Sequence, residues 1–391
     1  MTRKLYWEDP YAKEFTARVV SIEKEGIVLD QTLFFPLSGN QASDKGFLKY
    51  KNDFSKSKVE KVEIKDSNII HYVSSDFLKK IKIGAEVKGE IDWQYRYGIM
   101  RAHTSQHIFS AILLELYNAK TSRANIEFEN VSIQLDNPIT EEQFSIALDK
   151  LNEICTLRNK EITAEIYQED ELSKIPSKIR SKIPDKGEIR LIKINNLDLV
   201  CCGGTHLKNS TEVGPVIITD FKKGIEIKYH VGNKALEIFS QINIGMLQLS
   251  DSLNTPIFKL IKKIKSSLTE LVENKQQLEI LQQNNLNLSS KYPSEVYNDF
   301  NIFIFNYQIE VKLIKKSISQ YPPNSLILIQ MEENRYQIVT NSEKVNANDI
   351  VQILIANFGG KGGGSSFMAQ ASLDNALADV LPEVKNYLDS I

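Results

Sequence analysis

Two short runs, far apart in a 391-residue sequence, hold half of its imidazole and thiol side chains: His103-Thr-Ser-Gln-His107 and Cys202-Gly-Gly-Thr-His206. The chain has five histidines and three cysteines, and these runs take three of the histidines and one cysteine. Around the first run, Tyr95 to Tyr117 lacks proline and repeats Ile99, Ile108, Leu113 and Leu114 at helical spacing, which predicts a helix. Imidazoles four apart on a helix share one face. In the second run the paired glycines predict a tight turn that aims a thiolate and an imidazole at one point. If the two pairs share one metal, the chain folds so that one helix face meets one turn. Alone, each pair fits a structural role equally well. Together, His103, His107, Cys202 and His206 form a set of three imidazoles and one thiolate. Zinc suits those ligands, and the thiolate favours it over magnesium or calcium. Position 104 is threonine, so the metalloprotease pattern His-Glu-x-x-His is not met. Cys201 competes for the ligand role. The spacing that keeps both glycines between the ligands favours Cys202 and turns Cys201 into the core. Cys155, among apolar residues of a second expected helix, reads as core.

The pattern along the chain predicts an α+β protein in four parts. Residues 1–90 carry short strands at Ala17–Leu29 (turning at Lys24–Gly26), Val59–Ile64 and Ile69–Val73, expected to form a small antiparallel barrel or curled sheet. Residues 91–235 alternate helix, strands, helix and strands, an α+β domain. Its strands are expected around Ile126–Leu135 and at Glu161–Tyr167, Ile189–Ile194 and Gly214–Phe221, with a turn-rich Asp198–His206. Thr140 is the expected N-cap of its second helix, which runs to Arg158. Residues 236–290 place Ile257, Ile264, Leu271 and Leu278 on a seven-residue repeat. That repeat reads either as a long amphipathic helix or short coiled coil, or as a helix packed on its own domain. Pro293 ends it. Residues 291–391 read as a small α/β domain. Strands are expected at Phe303–Tyr307, Leu326–Gln330 and Tyr336–Thr340, then a helix at Ala347–Ala356, a glycine-rich loop, and a last helix from Asp374 to Leu388.

Lys+Arg is 48 against Asp+Glu 50, which excludes a uniformly basic nucleic-acid binder. A basic face, if present, must be local; Lys222, Lys223, Lys228 and Lys361 are candidates. Three cysteines are too few for a disulfide scaffold of this size. Trp7, Glu8 and Asp9 stand where a signal peptide needs an apolar run, and no membrane-spanning stretch occurs. The expected compartment is the reducing cytoplasm, with no membrane partner.

The run Ile91-Asp-Trp-Gln-Tyr-Arg96, then Met100-Arg-Ala-His103-Thr-Ser-Gln-His107 and Cys202-Gly-Gly-Thr-His206, resembles the editing domain of alanyl-tRNA synthetases and the free-standing AlaX proteins. The upstream segment agrees: Asp30-Gln-Thr32-Leu-Phe34-Phe35-Pro36, Ser38-Gly39-Asn40-Gln41 and Asp44-Lys-Gly46. The family usually has Gly-Gly-Gly-Gln or Ser-Gly-Gly-Gln where this chain has Ser-Gly-Asn-Gln. Gln106 stands where many members carry threonine or another small residue. The loop Gly359-Gly-Lys-Gly-Gly-Gly364, with Met368-Ala-Gln370, is similar to the DHH-associated domain that ends alanyl-tRNA synthetases and long-form AlaX proteins. The resemblance covers essentially the whole chain.

It implies a zinc-dependent hydrolase that removes serine or glycine from mischarged tRNA(Ala), with metal ligands His103, His107, Cys202 and His206. Thr32, Gln41 and Gln106 are the implied catalytic-pocket residues. Thr121 is a further polar group that could read a serine hydroxyl, and Asp198 could support a ligand imidazole; each fits a turn or strand role as well. A glycine-rich loop exposes backbone N–H groups and can cradle phosphate, so Gly360, Lys361, Gly362, Gly363 and Gly364 are the implied nucleic-acid contacts. A homodimer through the helical spacer or the last domain is a further expectation. The alternative is a non-catalytic tRNA-binding protein with a structural zinc. A phosphoesterase would need an Asp-His-His motif, which is absent. Threonyl-type editing domains share the metal motifs, and the C-terminal resemblance argues for the alanine system.

Overall fold

The computed structural model describes all residues except 1, 51–54, 169–170, 172–178, 182–187, 333 and 375–378. It is an α+β structure that divides into two compact units, Met1–Gln248 and Leu249–Ile391.

The first unit opens with a seven-stranded antiparallel sheet in the order Lys56–Val59, Gly46–Tyr50, Glu86–Ile91, Glu14–Ile22, Gly26–Leu29, Asn68–Tyr72, Val62–Lys65. The single strand expected over Val59–Ile64 is thus two strands, at opposite edges of the sheet. Glu60 and Lys61 alone join them. Three Cα–Cα steps, from Val59 to Val62, reach at most about 11 Å. The two edges must therefore lie close, and the sheet curls, with no ladder closing it among the described residues. Ile27, Leu29, Phe34, Leu48 and Val87 fill its interior.

The central helix, Trp93–Tyr117, follows. Asp92 caps it, its carboxylate accepting from the Tyr95 N–H at 3.1 Å, and Asn118 ends it in the left-handed region at φ 52°. From Gly98 to Leu113 every residue except Arg101 is buried. A helix enclosed on all sides has little amphipathic contrast. It packs on Glu141–Thr156 and on a four-stranded sheet in the order Thr121–Glu127, Asn130–Leu135, Glu226–Val231, Val216–Lys222. Thr140 caps the second helix in a reciprocal capping box with Gln143. Strand Glu226–Val231 was not among the expected elements, although Ile227, Tyr229 and Val231 alternate into the core. A third sheet, Ile162–Tyr167, Ile189–Ile194 and Asp198–Cys201, delivers the second motif. The turn-rich Asp198–His206 segment therefore begins as a strand.

One buried ion pair joins the curled sheet to the central helix. Arg96 and Asp44 are both fully buried. The Arg96 guanidinium donates to both Asp44 oxygens and to the carbonyls of Pro10 and Leu33.

In the second unit, a six-stranded sheet runs in the order Glu295–Tyr297, Phe300–Phe305, Ser325–Glu332, Arg335–Thr340, Met368–Ser372, Lys361–Gly364. Only the pairing of Phe300–Phe305 with Ser325–Glu332 is parallel. Phe303, Phe305, Ile327 and Ile329 face the helix Val311–Ser317. Ile302, Leu326 and Leu328 face Ala347–Phe358 and Leu381–Asp389. Burial on both faces explains the continuous apolar run Leu326-Ile-Leu-Ile329. The last helix starts at Leu381 rather than Asp374; residues 375–378 lie outside the described residues.

The spacer is not one helix. Gly232–Ser252 and Leu260–Ser289 are separate, with Asn254 at φ 43° and Pro256 between them. Ile257, the first member of the heptad series, sits in a 3-10 turn. Leu286 is buried in the core of the second unit, so the end of the second helix packs on its own domain. Upstream, Leu268, Leu271, Leu278 and Leu281 are all more than half exposed.

Candidate metal centre and pocket

The central helix and the segment after strand Asp198–Cys201 bring four donors together. His103 Nε2 lies 3.2 Å from His107 Nε2 and 3.5 Å from Cys202 Sγ. His206 Nε2 lies 3.4 Å from the same sulfur. All four donor atoms fall within 4.8 Å of one another. A tetrahedral zinc with Zn–N and Zn–S bonds of about 2.0 and 2.3 Å separates its donors by roughly 3.3–3.6 Å. The donor set and its spacing fit zinc. Burial holds His103 down at about 3 and pushes His107 and His206 well below the ordinary imidazole range. All three rings are therefore neutral, the form that binds a metal. Burial pushes the Cys202 thiol up to about 11, against the Gly204 N–H and Arg190, which act the other way.

The far side of each ring meets its own neighbour. His103 Nδ1 donates to Gln41 Oε1 at 2.6 Å, which leaves Nε2 as the free lone pair. That oxygen also accepts from Thr205 N, and Gln41 Nε2 donates to Thr205 Oγ1 at 3.0 Å. Thr104 Oγ1 stands 3.3 Å from His206 Nδ1 and accepts from Leu207 N. Asp198, bound by Arg180 through both carboxylate oxygens, stands 3.8 Å from His107 Nδ1, which has no hydrogen-bond partner among the described residues. Outer hydrogen bonds of this kind set ligand orientation, and losing one typically costs 10–100-fold in metal affinity or activity. Gln41→Ala is accordingly expected to weaken zinc binding about 10–100-fold in a chelator competition. Unchanged affinity would show that Thr205 and the packing alone orient His103.

The paired glycines act differently from the expectation. Neither Gly203 nor Gly204 has a positive φ. Gly204 is instead a close approach: a Cβ there would lie 2.2 Å from His103 Cε1 and 2.5 Å from Gln41 Oε1. Beside Gly203, the Trp7 indole N–H donates to the Gly203 carbonyl at 2.7 Å.

The cluster borders a pocket of about 510 Å³ lined by His103, Gln106, His107, Thr121, Cys201 and Cys202, among others. Gln106 and Thr121 therefore share this pocket, while Gln41 lies fully buried beneath it. Thr32 is not brought there. Its hydroxyl is buried in the N-terminal core, 2.7 Å from His71 Nε2, because the short strand Gln31–Thr32 turns it inward. Cys201 is half-buried on the pocket wall, not in the core, and is outside the four-donor cluster. Cys155 is fully buried in the core. Sequence reasoning missed Thr104 and Arg180. Thr104 adjoins His103 in the first motif, which was a usable signal, whereas nothing local marks Arg180.

Three family models match parts of the chain: tRNA synthetases class II (A) over residues 8–95, the threonyl and alanyl tRNA synthetase second additional domain over 189–231, and the DHHA1 domain over 312–391. The alanyl-tRNA editing protein AlaX-L of Pyrococcus horikoshii is 27% identical over 96% of this chain and 95% of its own length. The chain is similar to a long-form AlaX protein along nearly its whole length. The alanine–tRNA ligases of Sulfurisphaera tokodaii and Pyrococcus abyssi are 29% and 27% identical over 98% and 95% of this chain. The chain spans only 44% and 42% of those ligases.

The Ser38–Gln41 loop is a tight turn. Gly39 and Asn40 take φ 57° and 65°, the two left-handed residues of a type I′ turn closed by Gln41 N donating to Ser38 O. Asparagine tolerates that region better than other side chains. Ile126 N donates to Asn40 O, and Ala42 N donates to Ile126 O, which pins the turn where Gln41 reaches His103. The C-terminal glycine segment differs from its expected form. Lys361–Gly364 is an edge strand paired with Met368–Ser372, not a loop. Its glycines let strands approach: a Cβ on Gly362 would lie 2.3 Å from the Gln370 carbonyl oxygen.

Proposed function

We propose that this chain hydrolyses the ester of tRNA(Ala) wrongly charged with serine or glycine, with zinc held by His103, His107, Cys202 and His206. The observation that carries the reading is the convergence of three neutral imidazoles and one thiol beside a pocket of about 510 Å³. The relatives' names supply the substrate class: an alanyl-tRNA editing protein and alanine–tRNA ligases. The chemical need is general. A site shaped for alanine cannot strongly reject smaller glycine, or serine with its one added hydroxyl, so a second hydrolytic site removes the error.

When bound, zinc supplies a Lewis acid that either activates a water or holds the substrate's amino or hydroxyl group. The rest is the work of the chain. Gln41 fixes the tautomer of His103. Gln106 and Thr121 offer polar atoms to the acyl group. The exposed Lys361 and the neighbouring edge backbone, Gly360 and Gly362–Gly364, are proposed to meet RNA phosphates. A second copy is proposed to cover the exposed residues Leu268, Leu271, Leu278 and Leu281. No helix among the described residues is long and apolar enough to cross a membrane.

One observation favours a second reading. Four protein donors can close a zinc site, as in structural centres, whereas a catalytic zinc keeps a position open. Incubating the purified protein with Ser-, Gly- and Ala-tRNA(Ala) separates the two. Loss of seryl or glycyl ester above the spontaneous rate, with Ala-tRNA(Ala) spared, is the expected result. Salt-sensitive tRNA binding without turnover would establish the non-catalytic reading instead.

A further inference from the structure

The polar groups beside the cluster have a direction. Gln106 and Ser110 are four apart on the central helix and share a face. Gln106 Nε2 donates to Ser110 Oγ at 2.7 Å. Ser110 Oγ lies 2.6 Å from Thr121 Oγ1 on the adjoining strand. Ser110 is 1% exposed, and these are its side chain's two hydrogen-bond partners among the described residues. A hydroxyl has one proton to give. If Thr121 also donated to Ser110, the buried Ser110 proton would have no acceptor, an arrangement that buried donors avoid. Ser110 therefore donates to Thr121 Oγ1. The proton of Thr121 then has no acceptor among the described residues, and Thr121 lines the same pocket as His103 and His107.

We propose that Gln106, Ser110 and Thr121 form a one-way relay that presents a hydroxyl donor to the amino-acid side chain of the bound ester and so selects seryl over glycyl ester. The proposal rests on the deacylase reading. A serine side-chain oxygen accepts the Thr121 proton, and a glycyl ester has nothing to offer it. Gln106 sets the polarity: with threonine or another small residue at that position, Ser110 would lose its amide donor and the relay its direction.

The test compares kcat/KM on Ser-tRNA(Ala) and Gly-tRNA(Ala) for the wild-type chain, Thr121→Val, Thr121→Ser and Ser110→Ala. The seryl-to-glycyl ratio is expected to fall about tenfold or more in Thr121→Val. Thr121→Ser should restore it, and Ser110→Ala should lie between. Zinc content is expected to stay at the wild-type level, which a merely structural role of the threonine would not combine with a shifted ratio. An unchanged ratio in Thr121→Val, with both esters hydrolysed, overturns the relay alone. A wild-type chain that hydrolyses neither ester overturns the deacylase reading, and the relay with it.

Discussion

Replacing Cys202 by alanine is expected to remove zinc from the chain and, with it, ester hydrolysis. The sulfur approaches both His103 Nε2 and His206 Nε2, at 3.5 and 3.4 Å. Structural zinc sites bind with roughly 10–16 kcal/mol, so one donor of four is worth about 3 kcal/mol, or two to three orders of magnitude in affinity. Cys201 offers no substitute, since it lies outside the donor cluster. Without the metal and the thiol, the buried His206 Nε2 would lose its neighbouring sulfur. The variant should therefore also unfold at a lower temperature, because the stabilisation that a ligand of the folded state adds is lost. Elemental analysis and the deacylation rate check the prediction together. Full zinc content in the variant would move the ligand role to Cys201.

The second large effect concerns the joint between the curled sheet and the central helix. Asp44→Ala leaves the fully buried Arg96 guanidinium with only the carbonyls of Pro10 and Leu33. Removing one partner of a buried ion pair costs about 3–5 kcal/mol, because the other charge stays buried and unpaired. Domains are stable by only about 5–15 kcal/mol in total, so this is a large fraction. The loss should reach the metal centre. Asp44 lies three residues after Gln41, and Arg96 is on the helix that carries His103 and His107. A fall in the urea midpoint, with weaker zinc retention, is expected. The double variant Asp44→Leu/Arg96→Met should recover part of the stability, since a buried pair replaced by apolar groups is often near neutral. A single-variant change below about 1 kcal/mol would mean that water reaches and solvates Arg96.

Both motifs that form the cluster were legible because their constraints are local. Spacing of four on a helix fixes His103 and His107 to one face, and the second motif is short. The meeting of the two was legible only from the scarcity of histidine and cysteine, which left few other donors. Elements set by distant partners read less well. Nothing within Val59–Ile64 says that Glu60 and Lys61 pass between opposite edges of a sheet. Thr32 looked like a pocket residue because its neighbours Phe34, Phe35 and Gln41 belong to the resembling segment, but its hydroxyl turns to His71. The run Lys361–Gly364 read as a loop because glycine disfavours strands. Pairing with Met368–Ser372 overrides that preference, and the missing side chains are what allow the close approach. The spacer read as one segment over 236–290, although Pro256 separates its two helices. Asn40, which stands where the resembling family usually has glycine, adopts the left-handed conformation its turn requires.

One zinc, held by His103, His107, Cys202 and His206, is expected to support hydrolysis of a mischarged ester. The direct measurement is the rate of Ser-tRNA(Ala) hydrolysis by metal-depleted protein as zinc is added back. The expected result is no hydrolysis above the spontaneous rate at the start, and a rise that saturates at one zinc per chain. Full activity in the depleted protein, or none at one equivalent of bound zinc, would contradict it.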